Sequence, residues 1–254
     1  MAKQQVWVLG NHAVNAVLDI NPERALALWL TINPNNESQK ALLNKAERYD
    51  IPIHPVDKRQ LEQRCDSKQT QGVALQARPK VDGTEKELDV FVDKLFKQED
   101  KTPLLLILDQ VQDPHNFGAC LRTADAAGAN AVIVAKDNAS PMTPVVQKVA
   151  SGAAETMPIY RVTNLARTMD ALKQQGIWMI GTSDKAKHSL YQETLTGPLA
   201  LVMGAEGKGM RQLTERKCDS LVSLPMSGSV VSSLNVSVAT GVCLYEVFRQ
   251  RQLK

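Results

Sequence analysis

Short apolar runs alternate with segments of helical period along the whole chain. Residues 6–9, Val-Trp-Val-Leu, read as a strand. Asn11 is placed to cap a helix over 12–20, where Ala13, Val14, Val17 and Leu18 fall on one face. Residues 25–32 predict a second strand, and Asn33-Pro34-Asn35-Asn36 predicts the turn after it. Further along, 38–49 predict a helix, 51–53 an extended piece, 57–65 a third helix and 72–77 a closing strand. This alternation predicts a small α/β domain over residues 1–78.

Pro79 and Gly83 punctuate a linker, taken as 79–84. Beyond it, Leu88, Phe91, Val92, Leu95 and Phe96 predict a helix over 85–97. A second domain, 85–254, continues the alternation. Its strands are predicted at 104–108, 131–135, 157–161, 178–182, 199–203 and 221–224, and its helices at 116–127, 144–151, 165–175, 210–217 and 233–251. Strands such as Leu-Leu-Leu-Ile-Leu are apolar throughout, which belongs to a parallel sheet covered on both faces.

The 254 residues are 43% apolar and 22% charged, a balance that excludes a disordered or collagen-like chain. The apolar runs fall far short of the ~18–20 residues of a membrane span. The apolar piece at the N-terminus is too short for a secretory signal. A cytoplasmic protein with no membrane partner is expected. Cys65, Cys120, Cys218 and Cys243 form no C-x-x-C pair, and no histidines stand at zinc spacing. Reduced, packed thiols and no metal are therefore expected. Residues 1–80 carry 11 Lys/Arg and 8 Asp/Glu, 81–100 carry 3 and 7, and the remainder 16 and 12. Two mildly basic blocks thus flank an acidic connector, and both are able to face a polyanion. Aromatics at only 4% argue against RNA recognition by an exposed aromatic sheet.

Open α/β sheets bind ligands beyond the C-terminal ends of their strands, so the chemistry is sought there. After 104–108 comes Asp109-Gln110-Val111-Gln112-Asp113-Pro114-His115-Asn116-Phe117-Gly118, then Arg122 on the following helix. Asn116 reads as a helix cap and Arg122 as an ion-pair partner, or together as a ribose or phosphate contact. After 199–203 comes Gly204-Ala205-Glu206-Gly207-Lys208-Gly209. Three glycines in six positions let the backbone approach a ligand closely. The spacing is neither G-x-G-x-x-G nor a P-loop, because Gly209 follows Lys208. Glu206 in their midst tilts the reading from a plain turn towards function. After 221–224, small polar residues lead to Ser232-Ser233-Leu234-Asn235. Ser232 or Ser233 serves as a cap, whereas Asn235, expected within the helix, competes with the backbone for hydrogen bonds.

In this order, each after a strand, the three stretches resemble the three motifs of the SpoU branch of the SPOUT RNA methyltransferases, over residues 104–251. Gly10-Asn11-His12-Ala13-Val14-Asn15-Ala16-Val17-Leu18 is similar to the ribosomal-protein-like substrate-binding domain that one subgroup carries. The subgroup to which the whole chain is most similar methylates a guanosine ribose of bacterial 23S rRNA.

The resemblance implies an α/β protein whose second domain is a parallel-sheet SPOUT domain with a deep trefoil knot, a topology that no periodicity suggests. It implies S-adenosylmethionine as methyl donor, with Gly204, Leu224 and Leu234 at its site and Thr182, Met203, Met226 and Ser233 beside them. It implies a homodimer packed through the knotted region, acting on 23S rRNA, free or in a large-subunit assembly intermediate. The matched catalytic positions are Asn116, Arg122, Glu206, Ser233 and Asn235. A guanidinium has a pKa above ~12 and no acceptor, so Arg122 is expected to stabilise charge on the ribose oxygen or hold a phosphate. Glu206 is expected to support catalysis, as a proton acceptor or by orienting Asn116 or Arg122. The family's third motif reads Gly-x-Val-x-Ser-Leu-Asn, and here one extra residue stands between Gly228 and Ser233. Aligned from the Ser-Leu-Asn side, Ser233, Leu234 and Asn235 keep their roles. Two alternatives stay open: the same chemistry on tRNA, and a non-catalytic RNA-binding assembly factor on this scaffold. The extra N-terminal domain speaks against the first and the intact polar residues against the second. The absence of G-x-G-x-x-G speaks against a nicotinamide enzyme.

Overall fold

The alternation predicted near the N-terminus closes into a four-stranded sheet in the computed structural model, which describes residues 5–32, 36–68, 70–98, 101–228, 230 and 233–252. Strands β1 (Val6–Leu9), β2 (Ala25–Leu30), β3 (Ile53–Pro55) and β4 (Val73–Ala77) lie in the order β1-β4-β2-β3. β4 is antiparallel to both neighbours, and β2 is parallel to β3. Helices α1 (Asn11–Ile20), α2 (Glu37–Arg48) and α3 (Lys58–Cys65) connect them. Val14, Val17 and Leu18 of α1 and Leu42 of α2 are fully buried with Leu28, Leu30, Val73 and Leu75 of the sheet. Each contributes about 1.5–3 kcal/mol.

Three capping details decide where these helices begin. Gly10, not Asn11, precedes α1: its φ of 86° suits a glycine, and Asn11 is the first helical residue. Residues 33–35 of the expected turn lie outside the described residues, but Asn36 caps α2 by accepting from the Gln39 N–H. Asp57 and Gln60 form a capping box that starts α3.

The chain divides into two compact units, one of Met1–Val81 with Ser151–Thr156, the other of Asp82–Ala150 with Met157–Lys254. The second opens with α4 (Glu85–Phe96), begun by a Thr84–Glu87 capping box. Just before it, Asp82 pairs with Arg161 at 2.6 Å, and the Gly83 N–H donates to the Ile159 carbonyl at 2.7 Å. Seven strands follow: β5 (Leu104–Asp109), β6 (Ala131–Ala135), β7 (Ile159–Val162), β8 (Trp178–Thr182), β9 (His188–Ser189), β10 (Leu199–Gly204) and β11 (Ser220–Ser223). All paired neighbours are parallel, in the order β7-β6-β5-β10-β8-β11-β9. The helices are α5 (Pro114–Ala126), α6 (Pro144–Ala150), α7 (Ala153–Thr156), α8 (Leu165–Gln174), α9 (Gln212–Lys217) and α10 (Val236–Gln252).

α4 and α8 pack on the sheet face that presents Leu105, Ile107, Ile133 and Val202. α10 packs on α5 and β10, and α6 on α5. Every residue of β5 and β6 is buried, as a doubly covered parallel sheet requires. The helix expected over 144–151 stops at Ala150, because Ser151 (φ 51°) and Gly152 (φ 96°) turn left-handed. α7 then joins the first unit, where its buried Glu155 pairs with Arg24 at 2.6 Å. β9 and α7, of two and four residues, are too short to leave a periodic signal. Among the described residues, no helix is long and apolar enough to cross a membrane.

Candidate active site

β5 ends on Asp109, whose carboxylate is fully buried. It accepts from the Arg211 backbone N–H at 2.8 Å and from the Arg211 guanidinium at 2.8 Å. This bond holds Arg211 extended, so α9 begins at Gln212 rather than at the expected Met210. It also ties the end of the loop after β10 to the tip of β5.

That loop is a tight hairpin. Ala205 and Gly209 exchange backbone hydrogen bonds of 3.0 and 2.8 Å. Gly207 (φ 74°) and Gly209 (φ 66°) take conformations that other residues adopt at a cost. Gly204 is required for a different reason: a Cβ there would lie 2.2 Å from Gly209 C and Met210 N. The close approach expected between glycine and a ligand is, at Gly204, an approach of the loop's own backbone.

The hairpin carries Glu206 at its turn. Glu206 Oε2 accepts from Asn116 Nδ2 at 3.2 Å and from Asn235 Nδ2 at 2.9 Å. Asn235 Nδ2 also donates to Asn116 Oδ1 at 3.0 Å. Three motifs far apart in sequence thus meet in one triangle of side chains. Asn116 was expected to cap α5, but Asp113 does so, accepting from the Asn116 N–H at 2.8 Å with Pro114 opening the helix. Asn116 therefore sits in the first turn with its amide free to reach Glu206. Asn235 was expected inside the last helix, yet it stands just ahead of α10. Its Oδ1 accepts from the Ser237 N–H at 3.0 Å and hydroxyl at 2.7 Å, which anchors the side chain. Arg122 is exposed on α5 and makes no hydrogen bond or ion pair among the described residues, so nothing joins it to Glu206.

A cleft of about 940 Å³ adjoins the triangle. It opens beyond the C-terminal ends of β8, β10 and β11, where a ligand of such a sheet is expected. Thr182, Met203, Gly204, Leu224, Met226 and Leu234 all line it, as do Glu206 and Ser233. Val222 and Ala239 extend its apolar wall, while Asp184, Lys185, Lys208 and Glu215 bring charge to it. These last four carried no sequence signal, since isolated surface charges look alike until the fold gathers them. The extra position of the third motif lies between Gly228 and Ser233, a stretch in which residues 229, 231 and 232 are outside the described residues.

Burial raises the thiol pKa of Cys65. Burial pushes Cys120 up to about 11 and both Cys218 and Cys243 up to about 12, so their thiols stay protonated at neutral pH. Among the described residues, no group of three or more His, Cys, Asp or Glu gathers as a metal site.

Residues 103–245 match the model of the SpoU rRNA methylase family, and residues 7–81 match that for RNA 2'-O ribose methyltransferase substrate binding. The 23S rRNA (guanosine-2'-O-)-methyltransferase RlmB of Pseudomonas putida is 50% identical over 248 residues, covering 97% of each chain. The same-named protein of Shewanella oneidensis is 49% identical over 250 residues, covering 98% of this chain and 99% of its own. Among solved structures, the SpoU methyltransferase AviRb from Streptomyces viridochromogenes in complex with AdoMet superposes with a TM-score of 0.78 at 22% identity. That match covers 98% of this chain and 92% of that one, and it speaks to the fold.

Proposed function

This chain belongs to the SpoU rRNA methylase family, and from that premise we propose that it transfers a methyl group from S-adenosylmethionine to the ribose 2'-hydroxyl of a guanosine in 23S rRNA. The observation that carries the reading is the convergence of Asn116, Glu206 and Asn235 at the mouth of the cleft.

The cleft suits the donor chemically. Met203, Leu224, Met226 and Leu234 give an apolar wall for an adenosine, Thr182 a hydroxyl, and Glu206, Asp184 and Glu215 carboxylates for a cationic sulfonium. When bound, S-adenosylmethionine supplies an electrophilic methyl group; the remaining work falls to this chain. An alcohol is a weak nucleophile, so the 2'-hydroxyl must lose its proton as the new bond forms. Glu206 Oε2 is committed to the two amides, which fixes the carboxylate. In this reading Glu206 positions Asn116 and Asn235 against the ribose, and Ser233 lines the same edge. Arg122 offers only donors, so it holds the adjacent phosphate or stabilises the developing oxyanion.

A homodimer belongs to the same proposal. α10 is apolar on both sides: Cys243, Leu244 and Val247 are buried, while Val238, Tyr245 and Phe248 on the other side are 52%, 50% and 44% exposed. An apolar stripe of this kind on a terminal helix is suited to a second copy. The trefoil knot is likewise proposed, supported by a chain that leaves β11 beyond β8 and returns to α10 against α5 and β10. In this reading residues 1–78 bind the RNA, 79–84 connect and 85–254 catalyse, in the cytoplasm, on free 23S rRNA or a large-subunit assembly intermediate.

The test is methyl transfer from labelled S-adenosylmethionine to 23S rRNA and to bulk tRNA, mapped by 2'-O-methyl-sensitive sequencing. A single modified guanosine in 23S rRNA is expected. Label confined to tRNA would overturn the substrate, and donor binding without transfer to either RNA or to pre-ribosomal particles would overturn the activity.

A further inference from the structure

The first unit's sheet has a second face that its core does not use. Leu28, Leu30 and Leu75 point to the buried side, so the period of two sends Trp7, Trp29, His54 and Gln76 to the other. The eight residues of α3 cover that side only in part, with Leu61 alone fully buried. Two of the chain's three tryptophans are therefore side by side and half-buried where a closed core would leave none exposed.

Their geometry is specific. The Trp7 and Trp29 rings meet edge to face, with centroids 6.2 Å apart. His54 stacks on Trp29 at 4.2 Å and 23°. The exposed Arg64 holds its guanidinium 4.3 Å from the Trp29 ring centroid. Among the described residues, the buried indole Nε1–H of Trp29 finds no acceptor. A buried donor left without an acceptor is costly. Arg64 also lines, with the exposed Gln60 and Gln63, an open cavity of about 370 Å³ on α3.

We propose that this face, Trp7, Trp29, His54 and Arg64, is a stacking subsite for an unpaired nucleobase of the RNA substrate. The inference rests on the function proposed above and deepens it by naming where the first unit grips RNA. Aromatic rings accept any base by its π-face, and a guanidinium over the ring is ready to exchange that contact for a phosphate. The Gln60 and Gln63 amides offer donors and acceptors for a base edge. A single strand is the occupant, because in a duplex both faces of each base are already stacked. Low overall aromatic content argued against such a surface; the fold concentrates the few rings it has.

The experiment measures binding of the full-length protein to a mixed-sequence 12-nucleotide RNA, labelled, as a single strand and as its duplex, across a salt series. The wild type is expected to prefer the single strand. Trp29→Leu should weaken that binding about tenfold with an unchanged salt slope, while Trp29→Phe, which keeps a ring, retains most of it. Arg64→Ala, at an exposed position, should lower the log–log salt slope by about 1. If Trp29→Leu loses its fold by circular dichroism, His54→Ala takes its place with the same expected loss. Wild-type affinity and salt slope in the variants, or no preference for the single strand, overturns the inference. Methyl transfer by the wild type is measured alongside: its absence counts against the proposed function, whereas unchanged RNA binding in the variants counts against this subsite.

Discussion

Asn235 Nδ2 lies 2.9 Å from Glu206 Oε2 and 3.0 Å from Asn116 Oδ1, so one amide group joins the loop after β10 to the first turn of α5. A charge-assisted hydrogen bond of this kind contributes about 1.5–3 kcal/mol when shielded from water, and less here because Glu206 is exposed. Its worth is geometric: it fixes three side chains at one edge of the cleft.

Glu206→Ala should therefore lower kcat by about 10²–10³-fold, with little change in S-adenosylmethionine affinity. Melting temperature should stay within a few degrees of wild type. Single-turnover methyl transfer and calorimetric titration check this, and a loss confined to KM would show that Glu206 serves only in binding.

Arg122→Ala should abolish transfer, by about 10² or more, while leaving donor binding and the far-ultraviolet spectrum intact. Arg122 is exposed and makes no hydrogen bond or ion pair among the described residues. Wild-type product from this variant would remove Arg122 from the machinery.

Gly204→Ala should be severe, because the added methyl would lie 2.2 Å from the backbone of Gly209 and Met210. Overpacking against backbone costs about 1–3 kcal/mol or more, and the hairpin that carries Glu206 must shift. Urea unfolding and donor affinity should both fall; unchanged values would mean that the loop moves freely.

Asp109→Ala should destabilise the protein by about 1–3 kcal/mol, because the carboxylate is buried while the side chain of its partner Arg211 is 42% exposed. It leaves the Arg211 N–H and guanidinium without their acceptor. Arg211→Ala should cost a comparable amount, and a double-mutant cycle measures the coupling.

Acid should weaken the second unit through Glu85. Partial burial pushes its carboxyl up, but the N–H groups of Asn164 and Thr163 and the Arg167 guanidinium outweigh this and hold it below the usual glutamate value. A depressed folded-state pKa gives stability that is fully present above the unfolded value of ~4.3 and is lost as pH falls through the folded one. Glu85→Gln should cost about 1–2 kcal/mol at pH 7 and flatten the decline of stability below pH ~4.5. Chemical denaturation at pH 3, 4, 5 and 7 reads the difference.

The hydrophobic pattern alone carried the two α/β blocks, the continuous apolar strands and nearly every helix, because period and burial are local properties of a chain. The order of the three motifs, each after a strand, carried the resemblance and with it Asn116, Glu206 and Asn235. Local signals failed at boundaries set by distant partners. α9 starts at Gln212 because Asp109, about a hundred residues earlier, captures Arg211. Asn116 is free for Glu206 because Asp113 takes the cap. Whether Gly204 faces a ligand or its own loop, and whether Trp7, Trp29 and His54 scatter or gather, depends on strand register. Register joins residues remote in sequence, and only the folded chain pairs them.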